Sequence, residues 1–309
     1  VAWASGSGGT VIRTIDAGKT WVVDTIPGVT KFDLRSIAAL DDQTAVVAAT
    51  AGRIWRTENG GKSWTLVYQN ADTSVFLDAI TFFDAAPGAR ERRGLVLGDP
   101  IDGRFFLLVT NDAGRTWHEA PKESRPASQP GEGAFAASGS SLVTLGVRHG
   151  WIGTGVNVAR VLRTTDAGVT WTAIVTPLSS PSPSAGIFSL SFADSSYGIA
   201  IGGDYDKAEG RERTVAITRD GGATWQAPPG PTPNGFRSAV AFVPSSRGRV
   251  AVAVGTNGTD RSDDGGRTWT RVDTVGYHAV RFARDGSGWA TGGRGRVARF
   301  APDSTRLRP

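Results

Sequence analysis

The side chains with chemistry to offer in this 309-residue chain are arginines, carboxylates and one tyrosine set among them. Arg35 and Arg237 carry guanidiniums that can grip a carboxylate or an acidic peptide through paired hydrogen bonds. Asp78, Asp99, Asp102, Glu132, Asp204 and Asp260 bring carboxylates, Arg104 a third guanidinium, Tyr205 a phenol and His278 an imidazole. Carboxylates, a phenol and guanidiniums on one surface also raise glycosidic-bond chemistry as an alternative. Other chemistry is ruled out by composition. There is no cysteine, hence no thiol nucleophile, thiolate zinc site, iron–sulfur cluster or disulfide. Only His118, His149 and His278 supply imidazoles, too few for a His-rich metal centre. Asp204 and Asp206 alone are too few oxygen ligands for a hard cation. Gly6, Gly8 and Gly9 lie between two strand-like runs and read as a turn, not as a dinucleotide-binding loop. No metal or cofactor is expected.

The charge is basic but dispersed. Lys plus Arg is 34 against 29 Asp plus Glu, a net of +5, and only five of the cations are Lys. The densest basic runs, Arg90–Arg93 and Arg211–Arg213, are each interrupted by Glu. Nucleic-acid binding wants a basic stripe, so it is not expected. A solvated surface is the plain reading of this charge, and a cationic docking face for an acidic partner the sharper one. No run of 18 apolar residues exists, so no membrane-spanning helix is expected.

What must position these side chains is a repeat. The octapeptide pattern Ser/Thr-x-Asp/Asn-x-Gly-x-Ser/Thr-Trp begins at residues 14, 57, 110, 164, 218 and 262, at intervals of 43, 53, 54, 54 and 44. Its acidic or amide slot holds Asp16, Asn59, Asp112, Asp166, Asp220 and Asp264, and its last slot Trp21, Trp64, Trp117, Trp171, Trp225 and Trp269. The Asp or Asn can accept backbone N–H bonds within a tight turn. The Gly supplies a positive φ. The Trp opens the next strand with a large packing face. These residues are therefore structural. Before each octapeptide but the first come three short strand-like runs and after it a fourth, without helical periodicity. Four strands per unit (A to D) at this interval read as an all-β β-propeller of antiparallel four-stranded blades, with the octapeptide on the C–D turn.

The units fall at about 1–24, 25–67, 68–120, 121–175, 176–228, 229–272 and 273–309, forming a single domain. That makes seven blades. The alternative is six, closed by pairing the last strand A with the first unit. The first unit lacks a strand A, so residues preceding Val1 are expected to belong to the fold, and the last unit shows only A, B and C. In such blades the A–B and C–D turns share one rim. The opposite rim gathers the B–C loops and the starts of the A strands. Arg35, Asp78, Arg237 and His278 sit at strand-A starts, and Asp99, Asp102, Arg104, Asp204, Tyr205 and Asp260 on or beside B–C loops. Glu132 lies in a Pro/Ser-rich D–A crossover. Loops on a rigid scaffold are the usual hosts of function, so this funnel is the candidate site. The stretch Ser179–Ser184 reads as a flexible crossover.

The octapeptides resemble the Asp-box (BNR) repeat of sialidases, sortilin-type receptors and the photosystem II stability/assembly factor family. Over nearly the whole chain the sequence looks most like that last family and its uncharacterised bacterial relatives. Gly98-Asp99-Pro100, Asp102 through Phe106, and Gly202 through Tyr205 carry the likeness. The resemblance implies an exported protein, periplasmic or secreted, and a non-catalytic scaffold that binds a protein partner or a small acidic ligand, as a monomer. The alternative is a sialidase-like glycoside hydrolase. It would cast Tyr205 as nucleophile, Glu132 as its partner, Asp99 as acid, and Arg35 and Arg237 on the substrate carboxylate. The Arg-Ile-Pro motif that precedes the first sialidase box is missing. Thr10 through Thr14, the nearest text, is a blade strand.

Overall fold

A computed structural model describes residues 1–85, 91–300 and, by backbone alone, 307–308. Arg90 of the first charge run lies outside the described residues. Seven antiparallel sheets follow one another along the chain, the blades of a β-propeller, at residues 2–25, 34–69, 77–119, 142–175, 185–218, 239–273 and 279–308. Each sheet pairs its strands in chain order, A to D. Blade one lacks an A strand, as its sequence indicates. Blade seven gains a D strand that the sequence did not announce, with Leu307 and Arg308 pairing with Phe300 and Arg299. In blade five the D strand shrinks to one bridge, Ile217 to Gln226. The six-blade alternative does not hold.

By packing, the chain divides into two compact units. One comprises residues 1–128 with 146–149 and 164–170, the other 129–145, 150–163 and 171–309. In the first, the B strand Ala45–Ala49 is buried throughout. Its unbroken apolar run is what burial on both faces requires. Val46, Leu77, Val96, Phe106 and Trp117 form one of its cores. In the second, Ile199, Ile201, Val240, Phe242 and Trp269 do the same.

The octapeptide folds through its own side chains. Thr14 Oγ1 donates to Asp16 Oδ1 at 2.8 Å and accepts the Gly18 N–H at 2.9 Å. Asp16 Oδ1 accepts the Thr20 N–H at 2.9 Å, and its Oδ2 accepts Thr20 Oγ1 at 2.6 Å. The fourth and fifth positions are both left-handed, with φ between 58° and 90° in all six turns. A Gly is therefore favoured at the fifth, while Ala17, Ala113 and Ala167 bear the strain at the fourth. Asn59 completes the same turn without a charge, its Nδ2 donating to Ser63 Oγ at 2.8 Å.

The fourth residue also ties blades together. Its N–H donates to the A–B turn of its own blade, as Gly60 does to Gln43 O at 2.9 Å, which puts both turns on one rim. Its carbonyl accepts a side chain from the preceding blade. The donors are Arg13 Nη1 to Gly60 at 3.1 Å, Arg56 Nε to Ala113 at 3.1 Å, and Arg93 Nε to Ala167 at 2.8 Å. In the second unit they are Trp151 Nε1 to Gly221 at 2.8 Å and Tyr197 Oη to Gly265 at 2.7 Å.

Candidate functional site

The A strands carry β-bulges at their starts. Pairing skips one residue between Leu34 and Ser36, between Leu77 and Ala79, and between Ile187 and Ser189. A bulge re-aims the skipped side chain. The skipped residues are Arg35, Asp78 and Phe188. The Ser after the bulge braces the next blade: Ser36 Oγ accepts the Ile80 N–H and Ser189 Oγ the Val240 N–H, both at 3.0 Å.

In the first unit, the charges of Arg35 and Asp99 both act on Asp78. Arg35 is exposed, donates from Nη2 to Asp33 Oδ2 at 2.8 Å, and lies 5.8 Å from the Phe76 ring centroid. That is within cation–π range. Asp78 is 1% exposed, and its buried Oδ2 has no hydrogen-bond partner. Burial pushes its carboxyl well above the usual range, the Asp99 charge adds to the rise, and Arg35 opposes it. Asp99 is exposed, and its N–H donates to Phe76 O at 3.3 Å. Asp102 occupies an exposed hairpin turn at φ 51°. Arg104 donates to Arg125 O at 2.6 Å and so holds the D–A crossover.

In the second unit, several candidates hold each other instead of facing solvent. Glu132 is 4% exposed. It accepts Arg160 Nε at 2.8 Å and Thr154 Oγ1 at 2.5 Å on Oε1, and Arg160 Nη2 and the Gln129 N–H on Oε2. Arg237 and Asp260 are both fully buried. Arg237 Nε donates to Asp260 Oδ2 at 2.6 Å, and Nη1 to Asn257 Oδ1 at 2.5 Å and Phe236 O at 2.7 Å. Asn234 donates its Nδ2 to Asp260 Oδ1 at 2.9 Å. The expectation that Glu132, Arg237 and Asp260 touch a ligand is therefore corrected. Their charges are matched inside the protein, and a buried charge stripped of its partner is strongly unfavourable.

Asp204 accepts Ser184 Oγ at 2.6 Å, Ser182 Oγ at 3.0 Å and the Asp206 N–H at 3.0 Å. Burial pushes its carboxyl up, but these bonds outweigh it and hold it low. Its serine partners correct the reading of Ser179–Ser184 as a flexible crossover. Tyr205 is half exposed and meets Phe188 and Phe236 edge to face, with centroids 6.1 and 6.5 Å away. Phe135 stacks on Phe188 at 3.8 Å. His278 keeps an accessible ring whose pKa is lowered by the protein around it and then by Arg296. Sequence reasoning missed the platform of Phe135, Phe188 and Phe236. A signal existed: Phe188 before Ser189 stands where Arg35 stands before Ser36 and Arg237 before Ser238. Among the described residues no cluster of three or more metal-ligating side chains forms, and no helix is long and apolar enough to cross a membrane.

No protein-family model matches the chain, and no curated protein does. Solved structures do match. YCF48 bound to D1 peptide superposes with a TM-score of 0.62 at 15% identity, over 96% of this chain and 86% of that one. YCF48 from Cyanidioschyzon merolae gives 0.61 at 20% identity, over 98% and 92%. The GH74 xyloglucanase from Xanthomonas campestris gives 0.62 at 14% identity, over 99% of this chain and 51% of that one. These likenesses establish the propeller fold, which hosts unrelated functions.

Proposed function

We propose that this chain is a non-catalytic propeller scaffold that holds a protein partner at the A-strand starts and B–C loops. One observation carries the reading. Of the polar candidates, Glu132, Arg237 and Asp260 are bonded inside the protein. The exposed remainder, Arg35, Asp99 and Asp102 in the first unit and Tyr205 and His278 in the second, suits contact and recognition better than a nucleophile–base pair. The YCF48 structure described as bound to a D1 peptide lends support by analogy of fold. Arg35 is the residue to meet an acidic group on the partner. The octapeptides are Asp-boxes of the BNR type in this reading, which their internal hydrogen bonds support. The protein works as a monomer outside the cytoplasm, where a chain without cysteine has no thiol to oxidise. Capture of the partner by the wild type, and its loss with folded Arg35→Glu or Tyr205→Ala, is the expected result. Undiminished capture by both variants contradicts it.

A second reading, a glycoside hydrolase, has one observation in its favour. Asp78 is a buried carboxyl that burial, and then the Asp99 charge, pushes well above the usual range, as the environment of a general acid does. The GH74 fold neighbour is consistent with it. The casting of Glu132 and Arg237 falls away, because their charges are bonded to Arg160 and Asp260 inside the protein. Turnover of fluorogenic glycosides that Asp78→Asn abolishes would install this reading, and a silent panel removes it.

A further inference from the structure

Blade two's octapeptide reverses one hydrogen bond that the other five share. In those five an Asp carboxylate takes the hydroxyl proton of the seventh residue: Thr20, Thr116, Thr170, Thr224 and Thr268 each donate to Oδ2 of their own Asp. Asn59 does the opposite. Its Oδ1 accepts the Ser63 N–H at 3.0 Å, which fixes the orientation of the amide, and its Nδ2 donates to Ser63 Oγ at 2.8 Å. The Ser63 hydroxyl proton is thereby left unspent, and so is the second Nδ2 hydrogen. These donors open on a cavity of about 350 Å³ between blades two and three, both in the first unit. Arg56, Glu58 and Arg115 form its charged wall, and Thr65 and Val67 complete it. Arg56 Nη1 and, at 3.1 Å, Arg115 Nη2 donate to the same oxygen, Glu58 Oε1. One carboxylate thus meets two guanidiniums, and one positive charge is left over. Asp112 does not line the cavity, because Thr110 and Thr116 occupy its carboxylate. Arg115, Asn59 and Ser63 are all exposed, so a solute reaches them.

We infer that this cavity binds a tetrahedral oxyanion, the phosphate or sulfate group of a small polar molecule. The excess positive charge favours an anion, and hydrogen bonds to an ionised acceptor are the strong ones. The donors come from an amide, two hydroxyls and a guanidinium. A phosphate group has three oxygens to share among them, whereas a carboxylate has two in one plane. A cation would meet two guanidiniums. The cavity is larger than one oxyanion, which leaves room for the molecule that carries it, and its lining is polar apart from Val67. The site stands on the rim of the octapeptide turns, at the far end of these blades from Arg35 and Asp99, and does not depend on the scaffold reading.

The test titrates the whole chain calorimetrically with inorganic phosphate at about pH 7.5, where most of it is doubly charged, and at low ionic strength. Glucose 6-phosphate run against glucose 6-sulfate tells the two esters apart, and glucose and acetate are the controls. Phosphate and at least one ester bind, acetate binds more weakly, and glucose does not bind. Asn59→Asp is the decisive variant. It restores the residue with which the other five turns fold, engages the Ser63 hydroxyl within the turn and adds a negative charge. Affinity for phosphate therefore falls about tenfold or more, while the thermal midpoint is kept. Arg115→Ala, at an exposed position, lowers affinity in the same way, and Glu58→Gln raises it by removing the competing carboxylate. A wild type that binds no phosphate overturns the site. So does phosphate binding by folded Asn59→Asp and Arg115→Ala that is as tight as the wild type's. Glucose bound as tightly as glucose 6-phosphate overturns the oxyanion as the group recognised.

Discussion

Trp151 donates its indole Nε1–H to the carbonyl of Gly221 at 2.8 Å while its ring stacks on Phe192 at 3.6 Å. Gly221 is the fourth residue of an octapeptide, and Trp151 belongs to the blade before it. The same carbonyl position is taken by Arg13, Arg56, Arg93 and Tyr197 elsewhere. Donor chemistry changes from guanidinium to indole to phenol, but the acceptor position does not. Trp151→Phe keeps an aromatic ring at the stacking position and strips the donor, leaving a buried carbonyl unpaired. A loss of about 1–3 kcal/mol in denaturant unfolding is expected. A change within experimental error would show that the clasp contributes nothing.

The two buried ion pairs make a second prediction. Asp260→Ala leaves Arg237 charged and buried without its carboxylate, at a cost of about 3–5 kcal/mol. The double variant Arg237→Met with Asp260→Leu recovers most of that, since well-packed apolar side chains replace buried pairs without penalty. Thermal unfolding of the three proteins decides it. A double variant as unstable as the single one would contradict the account.

Acid acts on the octapeptides. Asp112 and Asp220 are both held at about 2: burial pushes each carboxyl up, but the hydroxyl and N–H bonds from Thr116 and Thr224, with Thr110 and Thr218, outweigh it. A carboxyl depressed by folding stabilises above its unfolded pKa, near 4, and loses that contribution as pH falls toward 2. Asn59 shows that an amide can make the same turn. Asp112→Asn should therefore flatten the dependence of stability on pH between about 4 and 2. An unchanged slope would mean that the carboxylate is not what acid attacks.

Asp78 has the opposite sign. Its carboxyl is raised by burial and then by Asp99. A raised carboxyl holds its proton longer in the folded chain, so stability falls as pH rises above the unfolded value, about 4, and levels off above the folded one. Asp78→Asn should be more stable than the wild type at neutral pH and indistinguishable in strong acid. Lower stability of the variant at neutral pH would mean that the carboxylate has a partner.

The blade architecture was legible because the octapeptide is a local device. Thr14, Asp16, Gly18 and Thr20 bond to one another within one turn, so spacing alone reveals six of the seven blades. The missing A strand of blade one was legible for the same reason. Its counterpart, the D strand at Leu307–Arg308, was not, because two paired residues carry no pattern. The rim position of Arg35 and Asp78 could be read from alignment, but nothing in the sequence marks the bulges that re-aim them. Arg237 and Asp260 are 23 residues apart, and Glu132 and Arg160 are 28 apart. Each reads as a free polar residue until the fold joins it to its partner. Phe188 is marked by its place before Ser189, but nothing in the sequence joins it to Phe135 and Phe236, and only their juxtaposition makes a platform for Tyr205.

The measurement that bears most directly on the central claim is the affinity of the captured partner for the wild type and for Arg35→Glu, by fluorescence anisotropy, with Trp151→Phe as a control away from the proposed contacts. The account predicts that Arg35→Glu weakens binding at least tenfold, about 1.4 kcal/mol, while Trp151→Phe leaves it unchanged at temperatures where both variants are folded. Equal affinity for the wild type and Arg35→Glu would contradict the claim that the A-strand starts and B–C loops hold the partner.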